Sequence, residues 1–218
     1  MVQALPHKSR RTAARVVHEQ EGTRAQLLAA ARNLYLEEGP AHFSLREVAR
    51  RVGVSAAAVY RHFDGKEALV GAACTQGFLV FSSYLVRALE VSTPLGRLLA
   101  TGDQYRLFAL ENPLDYRFIF MNAPDSEATP KKACPDPPTD GRPQDSAFRF
   151  LVDRVQECID ARVLGRGEAR ELAVLIWAHV HGLVSLRLSG HLGTWETDEA
   201  FGAFYQKSVS RLLTGLGR

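Results

Sequence analysis

Two short helices with strong end signals follow each other within residues 44–63, and this spacing constrains the fold more than any other feature. Ser44 precedes Glu47 by three residues, which is the spacing of a capping box at a helix start. An apolar stripe at helical intervals follows and stops at Gly53, and Ser55 can then cap a second helix of about two turns. Such a pair predicts a helix-turn-helix, whose second helix can enter the DNA major groove, although an ordinary helical hairpin has the same pattern.

The stretches on either side of this pair are also predicted to be helical. Thr23 with Gln26 has capping-box spacing, and Gly39-Pro40 stops the helical pattern that follows. A further helix is predicted from Lys66 onward. We therefore expect a basic flexible leader over 1–21 and a three-helix DNA-binding domain over 22–69.

The net charge of +3 is unevenly distributed along the chain. Residues 1–70 carry eleven Lys or Arg and seven Asp or Glu, whereas residues 71–218 carry sixteen and seventeen. A basic N-terminal end favours a nucleic-acid partner, although many basic faces are merely solvated.

The remaining residues, 70–218, are predicted to form an all-α ligand-binding and dimerisation domain. Apolar residues recur at helical spacing in most of it, and Asn112-Pro113 can open one of its helices. The exception is 122–146, which holds six of the ten prolines and is predicted to be a disordered loop, with a lid over a binding site as the alternative.

Neither a signal peptide nor a membrane span is predicted, and a cytoplasmic protein is expected. The three cysteines are Cys74, Cys134 and Cys158, and they lack the spacing of a metal site. We expect reduced thiols, no metal and no cofactor.

The helix-turn-helix segment resembles the TetR family of bacterial transcriptional regulators. The matching positions, in order, are Ala49, Gly53-Val54-Ser55, Val59-Tyr60-Arg61-His62-Phe63, Lys66-Glu67 and Leu69. The resemblance implies that Tyr60, His62 and Lys66 contact phosphates. A phenol, an imidazole and an ammonium near a helix end can hold a DNA backbone without reading its sequence.

The predicted recognition helix begins with three alanines, Ala56, Ala57 and Ala58. Methyl groups cannot form bidentate hydrogen bonds with bases, but they can pack against thymine methyl groups. Base recognition by hydrogen bonds is therefore expected from Arg46 and Arg61, with guanine as the natural partner. The predicted DNA-contacting set is Ser44, Arg46, Ser55, Ala56, Ala57, Tyr60, Arg61, His62 and Lys66.

In the second domain, Trp177, His181 and Gly182 resemble the Trp-His-Gly (WHG) type of TetR ligand-binding domain. An aromatic-rich segment, 103–121, is expected to face this helix and to bind an uncharged or weakly anionic, largely apolar effector. The predicted ligand-binding set is Tyr105, Phe108, Tyr116, Phe120, Met121, Trp177 and His181. For His181, packing or a hydrogen bond in the core is an equally good interpretation.

A homodimer is predicted because the helix over 171–190 is apolar on two faces. Trp177 and His181 lie on one face, Ile176 and Val180 on the other, and the second cover is expected to be a symmetry partner. The final helix is assigned to the same interface. TetR-like proteins commonly build a four-helix dimer bundle from two C-terminal helices of each chain.

Two other functional classes remain open at this point. A helical enzyme or small-molecule-binding protein could use the aromatic pocket around His181, but the chain has no catalytic motif to support it. A protein-binding adaptor would leave the basic N-terminal domain unexplained. The sequence therefore predicts a non-enzymatic, ligand-responsive regulator that binds a pseudo-palindromic operator, and the resemblance implies a repressor.

Overall fold

The computed structural model describes residues 8–121, 143–193, 195 and 197–217. Within these residues the chain is all α-helical, which confirms the predicted fold class. The described ranges contain nine α-helices, α1 to α9, which are Lys8–His42, Leu45–Val52, Ala56–Tyr60, Lys66–Leu85, Pro94–Glu111, Pro113–Phe120, Pro143–Asp160, Ala169–Leu188 and Asp198–Leu216. A 3-10 helix, Val86–Glu90, follows α4.

Helix α1 begins at Lys8, well before the predicted start at Thr23. The described part of the predicted flexible leader is therefore helical. Ala, Arg, Glu and Gln dominate 8–22, and these residues favour a helix strongly enough that an internal capping-box pattern does not end it. The predicted stop is present, because Gly39 has a φ of 74° and interrupts the helical path just before Pro40.

The predicted helix-turn-helix is confirmed by its end groups. The Ser44 hydroxyl accepts a hydrogen bond from the Glu47 amide at 3.2 Å, and Gly53 ends α2 in the left-handed region with a φ of 77°. The Ser55 hydroxyl likewise accepts from the Ala58 amide at 3.2 Å. Helix α3 is only five residues long, so it relies on this cap and on its buried face.

The chain divides into two compact units within α4, between Cys74 and Thr75. The first unit contains α1, α2, α3 and the start of α4. Its fully buried side chains include Leu27, Leu34, Val48 and Val59. Helices α1, α2 and α3 thus bury one apolar core, as the predicted three-helix domain requires.

The second unit contains the rest of α4 and helices α5 to α9. Pro113 opens α6 as predicted, whereas the Asn112 side chain does not cap that helix. The Asn112 amide instead donates to the Tyr84 hydroxyl at 3.0 Å, and that hydroxyl donates to Glu111 at 2.6 Å. This network joins the end of α4 to the corner between α5 and α6.

The predicted loop over 122–146 falls mostly outside the described residues, which resume with α7 at Pro143. Residues 143–146 are helical and were therefore wrongly included in that loop. A proline at the first helical position explains this boundary, because its missing amide hydrogen is not needed there.

The apolar faces of α8 and α9 differ from the predicted ones. Ile176 and Val180 of α8 are buried within the chain, and so is one stripe of α9. That stripe comprises Phe201, Tyr205, Val209 and Leu213. The Tyr205 hydroxyl donates to the Gly102 carbonyl at 2.7 Å, so α9 covers α5 rather than serving only a partner chain.

The uncovered apolar face of α8 carries Val174, Leu175, Ala178 and Leu186, which are all exposed. Two helical stretches, Lys66–Glu90 and Ala169–Leu188, are long and apolar enough to cross a membrane by length and composition alone. Core helices of soluble proteins meet the same criterion. Only 22% of the Ala169–Leu188 window is buried, so much of α8 lacks a cover within one chain.

The expectation of three reduced thiols is wrong for Cys74, which is disulfide-bonded. Cys158 is a free, buried thiol. The expectation used only the cellular compartment and the sequence spacing, neither of which reports the distance between sulfur atoms.

Candidate functional site

The C-terminal end of α3 presents a row of side chains suited to a phosphate backbone. Tyr60 is 60% exposed, Arg61 is exposed and His62 is half-buried. None of the three has an ion pair or a hydrogen bond from its side chain within the described residues. Their hydrogen-bonding groups therefore remain available for an anionic partner.

The three alanines of α3 are not equivalent. Ala57 is exposed and Ala56 is half-buried, whereas Ala58 is only 6% exposed. Ala58, which is not in the predicted DNA-contacting set, therefore belongs to the core of the first unit. A five-residue helix must bury one face to be stable, and Ala58 with Val59 supplies that face.

The arginines of α2 fall into two groups. Arg46 is exposed and has no ion pair within the described chain. Arg50 donates to both carboxylate oxygens of Glu47, at 2.8 and 2.5 Å. These hydrogen bonds and the arginine charge hold the pKa of Glu47 at about 2, so the pair stays ionised at neutral pH. Arg46 is the arginine of α2 left free to contact DNA.

Arg51 ties α2 to the end of α1. Its guanidinium lies 2.6 Å from a carboxylate oxygen of Glu37 and 3.3 Å from one of Glu38. The charge of this arginine is therefore balanced inside the first unit. Arg51 therefore serves to orient α2 against α1 rather than to contact a ligand.

Lys66, a predicted phosphate contact, is engaged within the first unit. Its ammonium donates to the Pro40 carbonyl at 2.7 Å and lies 5.4 Å from the centre of the Phe43 ring. This bond satisfies a carbonyl at the kink of α1 and holds the start of α4 beside it. An ammonium has three hydrogens, so two remain for a phosphate.

Arg24 is a candidate that the sequence analysis missed. It is exposed, and its guanidinium lies 5.2 Å from the centre of the Phe63 ring. Phe63 directly follows His62, so Arg24 adds a second guanidinium beside the row formed by Tyr60, Arg61 and His62. Helical periodicity could not reveal this contact, because it joins residues that are far apart in the sequence.

In the second unit, a group of polar aromatic side chains surrounds His181. The Tyr105 and Tyr116 hydroxyl oxygens lie 2.8 and 2.9 Å from His181 Nδ1. The Trp177 indole donates to the Tyr105 hydroxyl at 3.4 Å. We call these four residues, Tyr105, Tyr116, Trp177 and His181, the His181 cluster. They come from α5, α6 and α8, and both tyrosines are buried.

Phenylalanines complete the surroundings of the His181 cluster. The Phe120 ring centre lies 6.2 Å from those of both Trp177 and His181. The Phe148 ring, which was not predicted, lies 6.0 Å from Trp177. It belongs to α7, whose sequence has no signal that points to this contact.

Two members of the predicted ligand-binding set lie apart from His181. Phe108 is fully buried against Phe81 and Tyr84, with ring centres 5.0 and 5.6 Å away. Met121 is 40% exposed, and its sulfur lies 4.0 Å from the Ser185 hydroxyl. Phe108 therefore has a core environment, and Met121 lies at the surface.

Burial determines the charge state of the His181 cluster. Removal from solvent lowers the pKa of His181 from its ordinary value and raises the pKa of Tyr116 to about 12. The pKa of Tyr105 is raised for the same reason. At neutral pH the cluster is therefore uncharged, and its ring nitrogens and hydroxyls act as hydrogen-bonding groups.

Both parts of the chain match family models. Residues 27–73 match the model described as "Bacterial regulatory proteins, tetR family", and residues 98–212 match "Tetracyclin repressor-like, C-terminal domain". The chain belongs to the TetR family. The WHG subtype of the second domain stays a prediction.

One sequence relative matches a short part of the chain. The HTH-type transcriptional repressor Rv3405c of Mycobacterium tuberculosis is 46% identical over 52 residues, which are 24% of this chain and 28% of that protein. The match therefore covers little more than a quarter of the relative.

Solved structures resemble nearly the whole chain. A protein of unknown function from Rhodococcus sp. RHA1 has a TM-score of 0.67 at 28% identity, covering 90% of this chain and 96% of that one. A TetR family transcription regulator from Marinobacter aquaeolei VT8 has a TM-score of 0.68 at 18% identity, covering 88% and 96%. The second similarity concerns the fold alone.

Proposed function

We propose that this protein is a DNA-binding transcriptional repressor that releases its operator when it binds a small, largely apolar effector. The observation that carries the proposal is the unpaired row of Tyr60, Arg61 and His62 on a capped helix-turn-helix. In this proposal Tyr60, His62, Lys66 and Arg24 hold phosphates, and Arg46 and Arg61 recognise bases. Ser44, Ser55, Ala56 and Ala57 would approach the groove closely.

The proposed active form is a homodimer on a pseudo-palindromic operator. TetR family regulators bind DNA operators and typically dimerise, and each chain here leaves the apolar face of α8 uncovered. Val174, Leu175 and Leu186 on that face are suited to a second copy, because a two-fold interface uses the same patch on both chains. The two recognition helices would then reach successive major grooves, and the protein would act in the cytoplasm.

The proposed effector site is the His181 cluster with its phenylalanine neighbours. Helix α4 begins beside α1 through Lys66, and further along it carries Phe78 and Phe81, whose ring centres lie 5.7 and 5.4 Å from that of Phe120. An effector that moves Phe120 would therefore act on α4. Release follows if the effector binds better to a conformation whose recognition helices are wrongly spaced for the operator. Family members are not normally enzymes, and this proposal includes no catalytic step.

The test is selection of genomic fragments by the purified protein, followed by mobility shifts on the enriched sequence. We expect a sequence with two-fold symmetry. Arg46→Ala should weaken binding to that sequence by about 1–3 kcal/mol and should relax its preference at the contacted base. Arg50→Ala is the matched control, because Arg50 is already paired with Glu47. No binding to any duplex at low salt would refute the proposal.

A further inference from the structure

The two tyrosines of the His181 cluster compete for one acceptor. A neutral imidazole nitrogen carries either a proton or a lone pair, so Nδ1 can form one strong hydrogen bond although both hydroxyls lie within 2.9 Å. The other acceptors for these hydroxyls are more distant. The Tyr105 hydroxyl lies 3.4 Å from the Tyr116 hydroxyl oxygen, and the Tyr116 hydroxyl lies 3.5 Å from the His181 carbonyl oxygen. The cluster therefore has more donors than good acceptors.

The shortage of acceptors in the cluster also indicates which nitrogen of His181 carries the proton. If Nδ1 carried the proton, it would donate to one hydroxyl, and both phenol protons would depend on the longer contacts. If Nδ1 has the lone pair, one phenol donates to it at short distance and only one depends on a longer contact. The second arrangement satisfies more groups, and it requires the ring proton to be on Nε2.

The Nε2 hydrogen points away from the tyrosines, because the two nitrogens lie on opposite sides of the imidazole ring. Within the described part of the chain, this hydrogen has no acceptor. His181 is half-buried, and the ring centres of Phe120 and Trp177 lie 6.2 and 6.0 Å from that of its imidazole. These rings reduce the hydration of this hydrogen, so an acceptor on a bound ligand would replace an incomplete interaction with water.

Resting on the proposed function, we propose that His181 Nε2–H donates a hydrogen bond to an uncharged oxygen acceptor of the effector, such as a ketone or ester carbonyl. The rings of Phe120 and Trp177 would contact the apolar body of that effector. None of the hydrogen bonds or ring contacts described for the cluster involves a carboxylate, so a cationic effector would lack a balancing charge. The alternative ligand for an aromatic site, a quaternary ammonium held by ring faces, is therefore disfavoured.

The test uses three probes with a common phenyl group: butyrophenone, butylbenzene and phenyltrimethylammonium. Binding is followed by Trp177 fluorescence in a Trp195→Phe background, since the chain has two tryptophans. Butylbenzene is the more hydrophobic probe, so its affinity cannot be compared directly with that of butyrophenone. The informative quantity is the factor by which a substitution changes the affinity for each probe. Removing a neutral hydrogen bond should weaken butyrophenone about fivefold more than butylbenzene in His181→Phe.

Two further variants make this comparison specific. His181→Gln places an amide N–H near the position of Nε2 and should recover much of the butyrophenone affinity. His179→Gln changes a histidine that lies on the same helix but contacts the Ser208 hydroxyl at 3.0 Å, and it should affect neither probe. Equal weakening of butyrophenone and butylbenzene, or preferential binding of phenyltrimethylammonium, would overturn the inference.

A measurement on the unsubstituted protein avoids dependence on the folding of any variant. Histidine labelled with nitrogen-15 distinguishes the two tautomers in solution by NMR. We expect His181 protonated on Nε2 and an Nε2 resonance that shifts with butyrophenone but not with butylbenzene. A proton on Nδ1, or no binding by any probe, would overturn the inference. Operator binding, measured separately, would still test the regulator proposal.

Discussion

Arg24 and Arg50 are both exposed arginines of the first unit, and their different surroundings lead to different expectations. Arg24 stacks on Phe63 without an ion pair in the described chain, whereas Arg50 is paired with Glu47 at 2.5 Å. Each phosphate that a variant no longer neutralises should reduce the slope of log affinity against log salt by about 0.9. Arg24→Gln should therefore lower the slope and weaken binding to all DNA sequences alike.

The control for Arg24 is Arg50→Gln, which should leave the salt slope unchanged. Both slopes can be measured by fluorescence anisotropy over a range of salt concentrations. If Arg24→Gln changes only the preferred sequence and not the slope, Arg24 recognises a base instead of a phosphate.

His181 leads to a prediction for the pH dependence of stability. Its folded pKa lies below the ordinary value of 6.5 because burial disfavours the imidazolium. As the pH falls below 6.5, the unfolded chain therefore takes up a proton first, and the free energy of unfolding falls. The stabilising contribution of the neutral His181 side chain is fully present above pH 6.5. Denaturant unfolding of His181→Gln should show a weaker decrease in stability as the pH falls below 6.5 than the unsubstituted protein does.

The opposite trend, with stability rising as the pH falls through this range, would mean that the folded state favours the imidazolium. The short contacts of Nδ1 with two hydroxyls would then need a different assignment, with Nδ1 as the donor.

Hydrogen bonds were predictable from the sequence where the donor and the acceptor are close together in the chain. Ser44 and Ser55 act as helix caps, and each reaches an amide three residues ahead. By contrast, the Arg24–Phe63 stack and the Lys66–Pro40 hydrogen bond join distant residues. No periodicity reports such contacts, because they depend on how helices pack.

At the scale of helices, positions of turns were easier to predict than the faces that become buried. Gly53 ends α2 and Pro113 opens α6, and both effects come from backbone conformation. The assignment of all apolar residues of α9 to a dimer interface was wrong for Phe201 and Tyr205, which are buried within the chain. An apolar stripe indicates that a face is covered, but it does not identify whether the cover is the same chain or another.

The uncovered face of α8 gives a direct test of dimerisation. Leu175 of α8 and Leu79 of α4 are each 53% exposed in the single chain, so neither substitution should disturb the core. Leu175→Glu should produce monomers, because a dimer would bury the new carboxylate without a partner. Leu79→Glu should leave the assembly unchanged. Light scattering measures the mass, and circular dichroism checks that both variants remain helical.

A dimer of Leu175→Glu as stable as the unsubstituted one would place the interface on another surface. Dissociation of both variants would instead indicate a general effect of added charge, and neither result would support the α8 face.

For the whole molecule, regulation by an effector requires reciprocal coupling. If the effector lowers operator affinity by a given factor, the operator must lower effector affinity by the same factor. We expect a factor of about 5–150, and titrations in both directions should agree. Unequal factors would show that one of the titrations does not report equilibrium binding, for example because the protein aggregates. An effector with no influence on DNA binding would contradict the repressor proposal.

The all-α class and the order of two functional parts were predictable because helical periodicity extends over most of the chain. The predicted division after residue 69 and the division between the compact units after Cys74 both fall inside α4, which continues as one unbroken helix from Lys66 to Leu85. Helical periodicity predicts such a helix but not the residue at which the division falls. Helical periodicity likewise does not predict the identity of the effector. It depends on how Tyr105, Tyr116 and Trp177 are arranged around one imidazole.

The small side chains of α3 have a consequence for how such a regulator can change over evolution. Ala57 is exposed, so a larger residue can replace it without repacking the core, whereas Ala58 is buried and cannot vary in this way. A single nucleotide change in an alanine codon can introduce threonine, aspartate or glutamate, and each of these could bring a new base preference. If Ala57 approaches bases as proposed, one mutational step at this position would change which operators the protein prefers, and an engineer can substitute the same position to seek orthogonal operators.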